Sequence, residues 1–457
     1  MSSVPLSKAA FSRDTLDGDA PARPDTVEAT GLSPEFLVDL LLKTLYVQGA
    51  RSGQHLTDVV RLPFDFVDEQ LLSLQQRRLV EVRSTSGPSR GGYTFDLTGA
   101  GRERAREALS SSQYVGPAPV PLQQYRTWVD RQSIRHVHVT KDVIRHGFQR
   151  MVLSDAIHEI LGPAINSAKS LFLYGAPGNG KTMIAETIAS MLGGHIYVPY
   201  AVEIEGQIMV VHDPVFHHDI EPESVEPSGY DLLKLEPAQD PDWLRKAPEY
   251  DRRYALVRRP VVLTGGELTL EQLDLQYDQY TKMYQAPFQV KANGGVLILD
   301  DFGRQRVPPK DLLNRWIVPL EKRIDFLTLH TGGKFPVPFD TLLIISTNLE
   351  PSQLVEEAFL RRIHYKIQIE GPDPAQFADI FERNCVERNI GYDPAIVRYI
   401  YEQWYGKHAI VPRGCHPRDI LDHVVDIARF HQVPPAASVE MVNRACRSYF
   451  LDDSRSA

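Results

Sequence analysis

One glycine-rich stretch decides the fold of this chain: Gly175-Ala176-Pro177-Gly178-Asn179-Gly180-Lys181-Thr182. An apolar strand is predicted directly before it, at residues 171–174, and a helix directly after it, beginning at Met183. Consecutive backbone N–H groups at such a helix start can surround a triphosphate only where side chains leave room, as glycine does. Lys181 would reach the β- and γ-phosphates, and Thr182 would ligate magnesium. The stretch and Met183 therefore predict a phosphate-binding loop (P-loop) for ATP and Mg²⁺.

Two further predicted strands end on side chains that suit the same site. The apolar residues 296–299 lead into Asp300 and Asp301, and the largely apolar residues 341–347 lead into Asn348. Buried parallel strands release their carboxyl ends at one edge of a sheet, beside the phosphates. We therefore expect Asp300 to hold the magnesium, Asp301 to act as the catalytic base and Asn348 to orient the attacking water. A solvated acidic turn after residue 299 is the alternative, and the upstream P-loop disfavours it.

Three arginines complete a recognisable order of motifs. Arg361 and Arg362 end a short predicted helix, and Arg418 begins a helix near the C-terminus. Together with the P-loop, the acidic strand end and Asn348, they resemble the motif order of AAA+ ATPases over about residues 130–450. The resemblance implies that Arg361 or Arg362 reaches the γ-phosphate of a neighbouring subunit, in a ring that is commonly a hexamer. It also implies that Arg418 reports the γ-phosphate to a helical lid. Surface salt bridges are the competing interpretation of all three arginines.

A predicted hairpin between the second and third strands narrows the resemblance. Its turn is Thr331-Gly332-Gly333-Lys334, and a hairpin at this place is similar to the pre-sensor-1 branch, in which we favour the MoxR-like ATPases. Two features depart from the family. Asp301 stands where Glu is usual and is one methylene shorter, so we expect slower hydrolysis or a differently placed attacking water. Residues 197–290 form a long insertion, in which we predict a hairpin around residues 264–267 and a helix opened at residues 269–272.

The predicted fold is α/β and divides into five parts. Residues 1–30 read as a disordered tail, 31–110 as an α+β domain and 111–130 as a linker. Residues 131–370 would form the P-loop AAA+ core, with a central parallel sheet flanked by helices, and residues 371–457 the C-terminal helical lid.

Residues 31–110 show the order of three helices, a hairpin and a closing helix, which resembles a winged helix-turn-helix. Acidic side chains lie near the start of its would-be recognition helix, whereas basic ones lie at the end of that helix and in the wing: Asp65, Asp68 and Glu69, against Arg77, Arg78, Arg83 and Arg90. Because acidic groups at the reading end repel phosphates, we favour docking to a protein over binding to DNA.

Composition excludes several classes. The 457 residues carry a net charge of −9, which argues against a globally basic DNA-coating protein. No apolar run is long enough to cross a bilayer and no secretory signal is present, so we expect a cytoplasmic protein without membrane insertion. Three isolated cysteines, Cys385, Cys415 and Cys446, indicate neither disulfides nor a zinc cluster.

Other chemical constellations have simpler interpretations. Residues 212–219 contain three histidines, but a proline among them favours an irregular solvated loop over a metal site. Cys415 beside His416 has no second group at a spacing that indicates a nucleophile. Tyr277, Tyr280 and Tyr284 recur at helical spacing, which favours core or interface packing over a stacking surface for nucleic acid.

Two functions fit these patterns. The first is an ATPase ring that remodels or assembles an unidentified protein client, with the N-terminal domain as the adaptor. The second is an ATP-switched regulator that binds DNA or a signalling partner through its winged helix and turns over little ATP.

Overall fold

The computed structural model describes residues 20–86, 89–220, 250–354 and 360–450. Most of the predicted tail, part of the predicted insertion, residues 355–359 before the arginine pair and the last residues of the predicted lid lie outside the described residues.

Strands of the described chain form five sheets. In chain order the strands are β1 Arg51–Ser52, β2 Val80–Ser84, β3 Thr94–Leu97, β4 Val120–Pro121, β5 Ser170–Tyr174, β6 His195–Pro199, β7 Ala201–Ile204, β8 Gln207–Val210, β9 Tyr254–Arg258, β10 Val261–Thr264, β11 Gln276–Asp278, β12 Met283–Gln285, β13 Val296–Leu299, β14 Ile324–Thr328, β15 Lys334–Pro338, β16 Leu342–Thr347 and β17 Tyr365–Gln368.

Helices surround these sheets. The α-helices are Pro34–Gln48, Gly53–Val60, Phe64–Gln76, Gly99–Ser111, Leu122–Arg131, Lys141–Gly147, Asp155–Asn166, Lys181–Met191, Phe288–Lys291, Pro309–Arg315, Ile317–Lys322, Pro351–Leu354, Pro374–Glu387, Pro394–Ile400, Gly406–His408, His416–Phe430 and Val439–Tyr449. Short 3₁₀ turns cover Glu28–Thr30, Arg90–Gly92, Ile134–His136 and Glu271–Leu273, and Tyr401–Tyr405 is a π-helix.

The central sheet is parallel and has the strand order β10-β13-β16-β5-β17. Every residue of β13 and β16 is buried, as expected for strands that are covered on both faces. Leu171 and Leu173 of β5 pack in a core with helix Lys181–Met191, whereas Phe172 packs on the opposite face with helix Pro309–Arg315. The structure therefore confirms the predicted α/β class, with a central parallel sheet flanked by helices.

The helices and strands between residues 31 and 110 follow the predicted order. Ser33 caps the first helix, because its side chain accepts a hydrogen bond from the Phe36 N–H. Strand β3 lies between β1 and β2 in an antiparallel sheet. The helices bury their apolar faces in a common core, which also includes Ala201 and Ile208 from strands β7 and β8. This region therefore packs directly on the insertion.

The stretch predicted as a linker, residues 111–130, is largely structured. Its residues Val120 and Pro121 pair as β4 with β7, and a helix begins at Leu122. Tyr125 of that helix is 2% exposed. The Pro and Gly residues before the helix marked an irregular chain, but they did not reveal that it adds a strand to a sheet formed far along the sequence.

The insertion differs from the prediction at two places. No hairpin forms around residues 264–267, because β10 joins the central parallel sheet, and only a 3₁₀ turn follows at Glu271–Leu273. Tyr277 and Tyr284 face each other across the antiparallel pair β11–β12, so their spacing is not that of a helix, and Tyr280 lies at the turn with 86% exposure. The hairpin predicted before Asn348 is present as β14–β15.

The C-terminal region beyond the central sheet is helical, as expected. Its core joins helices Pro374–Glu387, Pro394–Ile400, His416–Phe430 and Val439–Tyr449. The helix that begins at Pro374 is opened by a capping box, in which Asp373 and Gln376 bond each other's backbone N–H groups.

Candidate nucleotide-binding site

The glycine-rich loop joins β5 to helix Lys181–Met191. Gly175 and Gly178 have φ angles of 135° and 83°, which side chains disfavour, and a Cβ on Gly175 would lie 2.4 Å from the Ile369 carbonyl oxygen. Gly180 is the N-cap of the helix. Because it has no side chain, it cannot accept hydrogen bonds from the backbone N–H groups of the first helical turn. The loop is therefore shaped as a cradle for an anion at a helix start.

Lys181 is directed into this loop and is 6% exposed. Its Nζ donates hydrogen bonds to the carbonyl oxygens of Gly175 and Ala176, at 3.0 and 2.9 Å, and to Asn348 Oδ1 at 2.7 Å. Burial lowers the pKa of Lys181, and the negative charges of Asp300 and Asp301 oppose that shift. The ammonium group is thus held by oxygen atoms that phosphate oxygens can replace.

The first acidic residue after β13 lies at the helix start. Thr182 Oγ1 donates a hydrogen bond of 2.8 Å to Asp300 Oδ2, while the Asp300 N–H donates to the Thr264 carbonyl oxygen at 2.8 Å. A hydroxyl and a carboxylate oxygen side by side, next to a phosphate cradle, are donors that Mg²⁺ prefers. The side chains of Thr182 and Asp300 therefore fit a magnesium ion.

The second acidic residue is joined to the lysine through an amide. Asn348 Nδ2 donates to Asp301 Oδ1 at 2.8 Å, and Asn348 Oδ1 accepts from Lys181. Asp301 has a φ of 48° in a turn that is tied to β16, because the Phe302 N–H donates to the Ser346 carbonyl oxygen at 2.8 Å. Lys181, Asn348 and Asp301 consequently form one hydrogen-bonded row along the carboxyl edge of the sheet.

The arginine pair lies at the opposite edge. Ser170, the first residue of β5, donates from its hydroxyl to the Arg362 carbonyl oxygen at 3.3 Å, and Arg362 Nε donates to Glu321 Oε1 at 2.5 Å. The P-loop begins after the last residue of β5, and five extended residues at about 3.3 Å each separate the two ends by roughly 16 Å. Arg361 and Arg362 are therefore remote from the P-loop of their own chain.

A cavity of about 700 Å³ opens beside the arginine pair. Its lining is mainly basic and consists of Arg135, Ser167, Lys169, Leu320, Glu321, Arg323, Arg361, Arg362 and His364. Arg323 donates to the carbonyl oxygens of Thr341 and Ala168, which fixes one wall.

Arg418 forms an ion pair within its own helix. Its guanidinium group pairs with the neighbouring Asp419, with an Nε to Oδ1 distance of 2.9 Å, and the side chain is 58% exposed. A contact that the sequence interpretation missed lies nearby. The Cys415 N–H donates to the Gly178 carbonyl oxygen at 2.8 Å, and the Gly414 N–H donates to Asn179 Oδ1 at 3.1 Å. A glycine just before a predicted helix, such as Gly414, can indicate a close backbone contact. The sequence does not show which group makes that contact.

The remaining P-loop positions are at the surface. Ala176, Pro177 and Gly178 are exposed, and Met183 is 51% exposed on the first turn of the helix. These residues border the open side of the cradle.

The histidine-rich segment, residues 212–219, is an internally bonded loop. His217 is 2% exposed, accepts the Asp213 N–H at Nδ1 and contacts the Lys291 carbonyl oxygen through Nε2. Burial lowers its pKa to about 4. His212 Nε2 lies 2.8 Å from Asp219 Oδ1. Within residues 20–86, 89–220, 250–354 and 360–450, no three His, Cys, Asp or Glu side chains cluster so as to hold a metal ion.

The cysteines show no sign of reactivity. Cys385 and Cys446 are buried in the C-terminal core, and burial raises the pKa of Cys385 to about 11 and that of Cys446 to about 12. Burial also raises the pKa of Cys415. A raised thiol pKa leaves little thiolate, so none of the three suits a nucleophile.

Fold and site together define a class, namely an α/β core with a P-loop at the carboxyl edge of a parallel sheet, followed by a helical C-terminal region. Comparison with known proteins adds local similarities. Residues 373–448 match the profile of a domain of unknown function (DUF8689). A 54-residue segment is 43% identical to part of the vesicle-fusing ATPase of Dictyostelium discoideum. The matched segment covers 12% of this chain and 7% of that protein.

Solved structures resemble larger parts of the chain at low identity. The Thermotoga maritima RuvB Holliday junction branch migration motor is 14% identical, with a TM-score of 0.36 over 66% of this chain and 71% of that one. NtrX from Brucella abortus is 13% identical, with a TM-score of 0.38 over 66% of this chain and 57% of NtrX. Scores of this size do not establish a shared fold by themselves, so the class rests on the strand order and the site.

No helix in the part of the chain that the structure describes combines the length and apolar character needed to cross a bilayer.

Proposed function

We propose that this protein is an AAA+ ATPase that hydrolyses Mg-ATP to remodel or assemble a protein partner. The row Lys181, Asn348 and Asp301, adjacent to the Thr182–Asp300 pair, carries the proposal. It places a phosphate-binding cation, a carboxylate base and the amide that orients it at one edge of the sheet.

Each side chain has a role that follows from its position. Lys181 would exchange its bonds to the Gly175 and Ala176 carbonyl oxygens for bonds to the β- and γ-phosphate oxygens. Asp301 accepts the proton of the attacking water, and Asn348 holds the Asp301 carboxylate in the required orientation. Thr182 and Asp300 would hold Mg²⁺, which would neutralise charge on the phosphate oxygens. The shorter side chain of Asp301, where Glu is usual, favours slow turnover.

The second half of the site comes from a neighbouring copy. Because the Arg362 backbone contacts the start of β5, at the end opposite to the P-loop, we assign Arg361 or Arg362 to the γ-phosphate bound by the next subunit in a ring, commonly a hexamer. In this arrangement Arg418, which pairs with Asp419, would turn towards the nucleotide only when the lid moves. The β14–β15 hairpin supports a MoxR-like ATPase within the class.

We assign residues 31–110 to a winged-helix domain that docks to protein. The two basic groups of the wing are paired within the domain, since Arg90 Nε lies 2.6 Å from Asp68 Oδ1 and Arg83 lies 2.6 Å from Asp96. Binding to DNA phosphates would have to break these ion pairs. The alternative in its DNA-binding form, an ATP-switched regulator that binds DNA through this domain, therefore has less support.

ATPase assays on the full chain with Mg²⁺ test the proposal. We expect Asp301→Asn to lower kcat by about 10²- to 10⁴-fold while ATP still binds, because the base is lost and the cradle remains. Lys181→Ala should abolish both binding and turnover. Glu103→Gln, at an exposed position of helix Gly99–Ser111 in the N-terminal region, serves as the control and should match the parent. Tight ATP binding without detectable turnover in the parent protein would reject hydrolysis and support the regulator.

A further inference from the structure

A short loop before helix His416–Phe430 lies directly on the P-loop. Its Gly414 N–H donates to Asn179 Oδ1 at 3.1 Å, and the next N–H, of Cys415, donates to the Gly178 carbonyl oxygen at 2.8 Å. Gly178 of the P-loop and Gly414 of the short loop each lie close to the opposite loop. A Cβ on Gly178 would lie 2.5 Å from Cys415 Sγ, and a Cβ on Gly414 would lie 3.3 Å from the Gly178 carbonyl oxygen.

The same loop is anchored in the helical C-terminal core. His416, 4% exposed, accepts the Arg413 N–H at Nδ1 over 3.3 Å, and the same nitrogen lies 3.0 Å from the Tyr405 hydroxyl. The rings of His416 and Tyr405 both pack edge-to-face against Phe450. These contacts join the loop to the core of the helical C-terminal region.

Asn179 is the only side chain of the P-loop that bonds to this loop among the residues that the structure describes. Arg418, the residue expected to connect lid and nucleotide, is occupied by Asp419. Lys181 bonds the carbonyl oxygens of Gly175 and Ala176, so binding of phosphate by Lys181 would change the contacts of the P-loop backbone. Asn179 is three residues beyond Ala176 and is well placed to transmit that change.

We propose that Asn179 is a positioning residue that couples the P-loop to the helical lid: its Oδ1 holds the Gly414 N–H and so sets the lid according to whether the phosphate site is filled. This coupling rests on the proposed nucleotide site, because phosphate bound at the P-loop is the signal that would reach the lid. It does not depend on hydrolysis.

Amide hydrogen exchange at Gly414 in the full chain without nucleotide tests the bond. We expect Asn179→Ala to raise the exchange rate by about threefold to tenfold, as loss of one hydrogen bond implies. Asn179→Asp retains the acceptor oxygen and should restore the parental rate. Asn443→Ala, in a lid helix away from the P-loop, is the matched control and should leave the rate unchanged. A parental rate in Asn179→Ala would overturn the proposal.

The coupling itself is tested by adding ADP, with binding checked by calorimetry. In the parent protein, ADP should change the exchange rate at Gly414, whereas in Asn179→Ala bound ADP should leave it unchanged. An equal response in both proteins would also overturn the proposal. Because neither measurement involves turnover, an inactive ATPase would leave this result intact, and a failure here would leave the proposed hydrolysis standing.

Discussion

Lys181 already has three oxygen partners in the described structure, two of them carbonyl oxygens of its own loop. A buried ammonium group without partners would lose its charge, so these bonds keep the lysine charged until phosphate replaces them. Asn348 shares its amide between Lys181 and Asp301, and it therefore ties the cation that binds the phosphates to the base that activates water.

His416 gives a prediction at the same scale. Burial lowers its pKa from 6.5 to about 4. The unfolded chain therefore binds a proton at pH 5 that the folded chain does not, so the stability associated with neutral His416 is present above about pH 6.5 and is lost as pH falls towards 4. Between pH 7.5 and pH 5.0 this loss amounts to about 2 kcal/mol.

Chemical unfolding at these two pH values measures the effect. His416→Phe should reduce the difference in unfolding free energy between them by about 2 kcal/mol relative to the parent protein. His55→Phe, at an exposed position, is the control and should retain the parental difference. An unchanged difference in His416→Phe would show that this histidine is not held neutral by burial.

At the scale of elements, the central sheet could be predicted and the insertion could not. Strands β13 and β16 are buried on both faces, so their continuous apolar sequences are distinctive, and the acids and amide that follow them fall at a common edge. Tyr277 and Tyr284 are seven residues apart, a spacing that suits a helix as well as a tight antiparallel pair. Their partner β8 lies far back in the sequence, so no local pattern could decide between the two.

The bond between Asn179 and Gly414 was beyond sequence reasoning for a similar reason. Its partners are 235 residues apart, and the donor is a backbone N–H that every residue except proline carries. Residue types can indicate a phosphate cradle because the chemistry is local. They cannot indicate which distant backbone group will contact it.

Arg253 joins elements that are distant in sequence. Its buried guanidinium group bonds Asp251 at 2.8 Å and the carbonyl oxygens of Thr30 and Pro119 at 2.9 and 3.3 Å. We expect Arg253→Met to destabilise this junction by about 3–5 kcal/mol, because Asp251 is left as an unpaired buried charge. Urea unfolding, followed at the first transition, measures the change.

The double variant Arg253→Met with Asp251→Leu is the matched control. Because it removes both charges, it should recover most of the lost stability. If the double variant were as unstable as the single one, the cost would come from lost packing or backbone contacts rather than from an unpaired carboxylate.

At the scale of the whole molecule, the two halves of the proposed catalytic site lie at opposite ends of β5. Mixing two inactive variants tests whether the halves meet between copies. Arg361→Ala with Arg362→Ala retains a P-loop but no arginine donor, and Lys181→Ala retains the arginines but no working P-loop. In an equal mixture, about a quarter of the boundaries in a ring would combine the intact halves, so about a quarter of parental activity should return.

Each variant mixed with itself is the control and should remain inactive. A mixture that also remains inactive, although mass measurement shows mixed assemblies, would exclude the arginines as donors to a neighbouring site.

Because the P-loop and the arginine pair lie at opposite ends of β5, the ATPase turnover per chain would depend on the number of chains in the assembly. An open row of n chains contains n P-loops but only n − 1 boundaries where a P-loop meets an arginine pair, and closing the row creates the last one. A chain at the free end of such a row holds nucleotide without a partner to complete its site. Turnover per chain would therefore rise with row length and reach its full value at closure, so the rate itself would report whether the assembly is open or closed.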